Sequence, residues 1–145
     1  MFVPRQFPNT RMRRTRAQAF SRALVREHSL SPSDFIFPTF VMEGQNATYD
    51  IPSMPGVQRV TIDKLLYQAE RCMALGVPAM ALFPVIDESR KSLTAATAYD
   101  PNDLVPRTIR AIKQRFPDLG VITDIAFDPY TTHGQDGIID SHGYI

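Results

Sequence analysis

With one cysteine, Cys72, in 145 residues, no internal disulfide can form, which excludes the disulfide framework of a small secreted domain. No basic n-region followed by an apolar stretch opens the chain, so a cytoplasmic protein is expected. No run reaches the roughly 18 apolar residues that a membrane span needs. Acid is missing from the first 26 residues, where Arg5, Arg11, Arg13, Arg14, Arg16, Arg22 and Arg26 crowd together. That basic stretch lacks the aromatic interleaving of a nucleic-acid arm, so a protein surface is its expected partner and nucleic acid is not. Lysine is scarce: Lys64, Lys91 and Lys113 are the only three.

What remains is an ordinary globular composition, 43% hydrophobic and 21% charged, enough for one domain with a core. Residues 1–14 carry Pro4, Pro8 and Asn9 without periodicity and read as an extended basic arm. The domain proper is expected over 15–145. Helical spacing of Ala17, Phe20 and Leu24 predicts a helix from Thr15 to about His28, and Ser31 with Pro32 starts a single further turn. "FIFPTFVM" (35–42), "AMALFPV" (79–85) and "GVITDIA" (120–126) read as strands.

Between them lie two helices. One is capped by Thr61 and stopped by Gly76, with Ile62, Leu65, Leu66, Ala69 and Met73 in its apolar stripe and Cys72 and Met73 assigned to the core. The other is capped by Asp103, with Val105, Ile109, Ile112 and Phe116 inward. Alternation of strand and helix implies parallel strands with right-handed crossovers. A doubly wound sheet would show glycines in its first strand-helix turn, where only Gly44 occurs. The long polar segments 43–60, 86–103 and 127–145 all follow strands, as the site loops of a (β/α)8 TIM barrel do. Three strands of eight make that barrel incomplete.

Asp124 ends the third strand, where a barrel side chain enters the active site, or else it is a capping acid. Asp128, His133 and Asp136 form either an oxygen and nitrogen metal site or a solvated loop that ligates nothing. His28 and His142 read as surface residues. None of the lysines stands at a strand end, where a desolvated amine could form a Schiff base.

"IPSMPGV", "ALFPV", "TDIAFDPYTTHGQDG" and the closing "GYI", in this order, resemble the δ-aminolevulinic acid dehydratases, or porphobilinogen synthases, from about Thr10 onward. The resemblance implies a TIM barrel whose arm wraps a neighbouring subunit, commonly in an octamer. It implies condensation of two 5-aminolevulinate molecules with loss of water, on two Schiff-base lysines. It makes Asp124 the active-site acid and Phe83 the pocket aromatic.

Zinc-type members carry cysteines at the positions of Ala126, Asp128 and Asp136. This chain therefore resembles the aspartate-type branch, with magnesium expected in the intact enzyme and zinc not. Members are more than twice as long, and their Schiff-base lysines, carboxylate-binding arginines and lid match nothing up to Ile145. The expectation is a partial enzyme, inactive alone; the alternative is a non-catalytic remnant that binds intact subunits through its arm.

Overall fold

A computed structural model describes residues 6–145. Of the expected arm, the first five residues, Arg5 among them, lie outside the described ones. The chain divides into two compact units, Met1–Ser31 and Pro32–Ile145. The boundary expected between 14 and 15 falls inside the first unit.

In the first unit the expected helix 15–28 is two short ones, α1 (Arg14–Ala17) and α2 (Ala19–Leu24), broken where Gln18 adopts φ −119 and ψ 155. Neither helix buries a residue. A helix this short is marginal without tertiary packing, so nothing keeps one continuous helix through Gln18.

The second unit holds a five-stranded sheet in the spatial order β2 (Thr48–Asp50), β3 (Gln58–Thr61), β1 (Ile36–Met42), β4 (Ala79–Val85) and β5 (Gly120–Thr123). Its frame is β1, β4 and β5, the three strands expected, each parallel to the next. Ile36 pairs with Ala79 and Met42 with Val85, so all seven residues of β1 are in register with β4. Crossover helices α3 (Ile62–Leu75) and α4 (Leu104–Arg115) join them. This is the first part of a TIM barrel, as expected.

The segment 43–60, expected to be a loop, contains a hairpin. Strand β2 (Thr48–Asp50) runs antiparallel to β3 (Gln58–Thr61), and β3 pairs in parallel with Phe40–Met42 of β1. The strands are three and four residues long, too short for a period-2 pattern to stand out between Gly44, Pro52, Pro55 and Gly56.

Alternation along the strands separates two faces. Val41, Met80 and Leu82 turn to the helices and join Leu65, Ala69, Cys72, Leu104 and Ile112 in the core. Pro38, Phe40, Ala81, Phe83 and Ile122 share the opposite face, which in a closed barrel is the interior. The stripe of α3 runs through Leu65, Ala69 and Cys72, so Met73, expected in the core, is 41% exposed, one step of the helix away. On α4 the buried residues are Leu104, Thr108 and Ile112, with Ile109 and Phe116 packed beside them. Thr108 lies inward because its hydroxyl donates to the Leu104 carbonyl (2.7 Å) and leaves no unmet donor.

Thr61 and Asp103 occupy the expected N-cap positions, but neither side chain caps its helix. Gly76 ends α3 at φ +76, the left-handed conformation that favours glycine. Gly120 has a different reason: a Cβ there would stand 3.0 Å from Ala79 Cβ and 3.1 Å from the Pro78 carbonyl, where β5 meets β4. Among the described residues no helix is long and apolar enough to cross a membrane.

Candidate active site at the strand ends

On the inward face Phe40 of β1 and Phe83 of β4 are paired in register, their ring centroids 5.8 Å apart. They border an apolar cavity of about 420 Å³ that wraps the free edge of β1, reaching Met54 and Val57 of the hairpin segment and, on the helix side, Phe37 of β1 and Gln68 of α3. Asp124 follows the last residue of β5 and is exposed. It shares the parity of Ile122, which puts it at the interior mouth. Phe83 and Asp124 thus lie on adjacent strands of the same face.

The segment after β5 is ordered by its own polar groups. One oxygen of Asp136 accepts the N–H groups of Phe127 (2.5 Å) and Asp128 (3.1 Å). Thr131 donates its hydroxyl to the Gln135 carbonyl (2.9 Å). The Gln135 N–H donates to His133 Nδ1 (3.3 Å), which leaves the ring proton on Nε2, a buried atom without a partner among the described residues. The segment is tied to the loop after β4 by a parallel bridge: Ser92 N–H donates to the Tyr130 carbonyl (3.0 Å) and Thr132 N–H to the Ser92 carbonyl (3.2 Å).

The acids of this segment do not assemble a metal site. No three His, Cys, Asp or Glu side chains among the described residues cluster in a way that could hold an ion. Asp136 spends an oxygen on two N–H donors, which also repel a cation from that atom. The lone thiol, Cys72, is buried in α3, and burial pushes its pKa up, away from the thiolate that zinc requires. The loop thus shows no thiolate set of the kind zinc takes and no group of three ligating side chains among the described residues.

A charged network behind the mouth was not anticipated from the sequence. Glu43, just past β1, accepts from Arg90 (3.1 Å) and from Arg107 of α4. Arg90 also stands 2.7 Å from Asp103, whose carboxylate is 2% exposed and lacks hydrogen-bond alignment to any described donor. The contact with Asp103, as a short polar contact first and through its charge second, raises the pKa of Arg90. Tyr130 is buried nearby, and desolvation, with a smaller contribution from the Asp103 charge, pushes its pKa up to about 12. The network joins the loops after β1, β4 and β5. Its members lie up to 87 residues apart (43 to 130), and no local spacing announces such a set.

Lys64 and Lys113 stay away from the mouth, whereas Lys91 lines a second cavity there with Phe40, Arg59, Pro84 and Pro129. Lys64 lies over the Tyr67 ring on α3, and Lys113 donates to the Pro117 and Leu119 carbonyls at the end of α4. Lys91, in the loop after β4, is paired with Glu88 at 2.5 Å with its side chain 19% exposed. His142 is at the surface beside Asp140, and His28 is exposed.

Comparison with known proteins gives this geometry its context. The family model for delta-aminolevulinic acid dehydratase matches residues 9–145. The Bradyrhizobium diazoefficiens delta-aminolevulinic acid dehydratase is 45% identical over 129 residues, which are 89% of this chain and 36% of the relative. The chloroplastic Arabidopsis thaliana delta-aminolevulinic acid dehydratase 1 is 42% identical over 93% of this chain and 31% of its own length. The chain thus spans about a third of the curated relatives it matches. Among solved structures, the Toxoplasma gondii delta-aminolevulinic acid dehydratase in complex with its reaction product porphobilinogen superimposes with a TM-score of 0.84. It is 38% identical, over 99% of this chain and 40% of that one. The chain belongs to the delta-aminolevulinic acid dehydratase family.

Proposed function

We propose that this chain supplies the arm, the first barrel strands and the first site loops of a porphobilinogen synthase, which condenses two 5-aminolevulinate molecules to porphobilinogen with loss of water. The observation that carries the reading is the likeness, along 99% of the chain, to a Toxoplasma enzyme that holds porphobilinogen. In this reading Phe83, backed by Phe40, forms an apolar wall against the substrate chain. Asp124, at the interior mouth, is the acid-base group beside it. The condensation needs amines that attack a ketone, since a protonated imine is the better electron sink. Lys64 and Lys113 lie on the crossover helices and Lys91, though near the mouth, is held as an ion pair with Glu88, so in this reading the nucleophilic lysines come from outside residues 1–145.

Asp128 and Asp136 stand at the cysteine positions of zinc-type members but do not serve as metal ligands. Magnesium, which the resemblance implies for the intact enzyme, then has its place outside this loop, and zinc has none in it. The arm, followed by α2 with Phe20 66% and Leu24 82% exposed, is suited to cover a neighbouring copy in a homo-oligomer. The setting is cytoplasmic, where a lone buried thiol stays reduced.

The test joins the chain to the remaining two thirds of its Bradyrhizobium relative, which restores family length. Purified, this chimera forms pyrrole from 5-aminolevulinate, and Asp124→Asn lowers kcat by about 100-fold or more. A folded chimera that makes no pyrrole would overturn the reading.

A further inference from the structure

In the loop after β5, Asp140 accepts the N–H groups of His142 and Tyr144 near the end of the segment, and Asp136 is the carboxylate that reaches back to its start. Asp136 Oδ1 receives the N–H groups of Phe127 (2.5 Å) and Asp128 (3.1 Å), nine and eight residues back along the chain. A single atom therefore closes the loop on itself, and the Thr131 hydroxyl on the Gln135 carbonyl (2.9 Å) closes it a second time inside. The two closures fix the turn Asp128–Tyr130, and through the Ser92 and Thr131 bridge they fix its distance from the loop after β4.

An ion bound across Asp128 and Asp136 would perform the same cross-link. Two N–H dipoles aimed at the Asp136 oxygen disfavour a cation on that atom, so the two arrangements exclude each other there.

We propose that Asp136 is a positioning residue that replaces a metal cross-link: its carboxylate pins the 127–128 backbone and holds the segment following Asp124 in its working shape without an ion. Asp136 then touches neither substrate nor metal; it acts through the backbone of Phe127 and Asp128. The proposal rests on reading this segment as an active-site loop, but its main readout does not depend on activity.

The experiment uses the chimera with the Bradyrhizobium remainder. Amide exchange of Phe127 and Asp128 is measured in the presence of magnesium, zinc or a chelator, with the core amides of Leu82 and Ile112 as the folding control. Exchange of the two loop amides is expected to be unaffected by either ion or by the chelator. Asp136→Ala accelerates both by about tenfold or more, because each loses a charge-assisted acceptor, while the core amides stay protected. Asp136→Asn retains an oxygen at the same place and restores most of the protection, and kcat recovers with it. Loop protection that needs magnesium or zinc, or unchanged exchange in Asp136→Ala, would overturn the proposal. So would an Asp136→Asn variant with normal exchange but the kcat of Asp136→Ala, since that would make the carboxylate itself the reacting group. Absence of pyrrole from the unsubstituted chimera would sink the functional reading and leave the exchange result standing.

Discussion

Arg90 places a guanidinium nitrogen 2.7 Å from a carboxylate oxygen of Asp103, which is only 2% exposed and immediately precedes α4. The arginine is itself about one-third exposed and shares Glu43 with Arg107, so the charge of the pair is spread to the surface. Removing the arginine alone strands a buried anion. Arg90→Met is expected to destabilise the folded protein by about 3 kcal/mol, the low end for a broken buried pair because solvent reaches the arginine side. Arg90→Met combined with Asp103→Leu should recover most of that loss. Denaturant midpoints of the chimera, single and double variants, check both; equal losses in the two variants would show that the pair is not the cause.

Tyr130 supplies a pH signature. Its folded pKa is pushed up to about 12, above the value of about 10 for a free phenol. The folded state therefore holds this proton more tightly. Its contribution to stability is fully present below about pH 10 and is lost as pH rises from there through about 12. Difference titration of phenolate absorbance against Tyr130→Phe should show one tyrosine ionising last, near the alkaline unfolding transition. A phenol at residue 130 that titrates near 10 in the folded protein would contradict the burial described.

The lysines make a negative prediction. Borohydride trapping of the 145-residue chain with 5-aminolevulinate should give no stoichiometric adduct, and the chain alone should form no pyrrole. Lys113 is tied to two carbonyls and Lys91 to Glu88, and Lys64 lies outside on α3. Mass measurement of the reduced product decides the matter; an adduct on any of the three would place a nucleophile in this chain.

Zinc-selective chelation should leave the chimera active. Ala126 offers no ligand, and the oxygen of Asp136 is committed to backbone N–H groups. Activity lost on chelation and restored by stoichiometric zinc would reverse the assignment.

The three parallel strands and two crossover helices were legible because each has a continuous apolar run or a helical stripe several turns long. The β2 and β3 hairpin was not, because strands of three and four residues gain their stability from pairing with β1, which no local pattern encodes. Thr61 and Asp103 were placed correctly at helix starts but given the wrong task. A capping side chain and one drawn to a distant partner have the same sequence signature. Asp124 and Phe83 could be placed from strand parity alone. The Glu43, Arg90, Asp103, Arg107 and Tyr130 set could not, since it depends on where three separate loops return to the same end of the sheet.

The hairpin also acts as a gauge for whatever lies beside β1. Strand β3 takes the upper part of that edge, Phe40–Met42, in parallel register. Ile36–Thr39 remain as the stretch over which another strand can align with β1 on that side. A strand closing the sheet there has its height along the barrel axis set by the lower end of β3. It cannot slide upward without displacing Arg59 from Phe40, so the hairpin limits the shear of the seam as well as covering the edge.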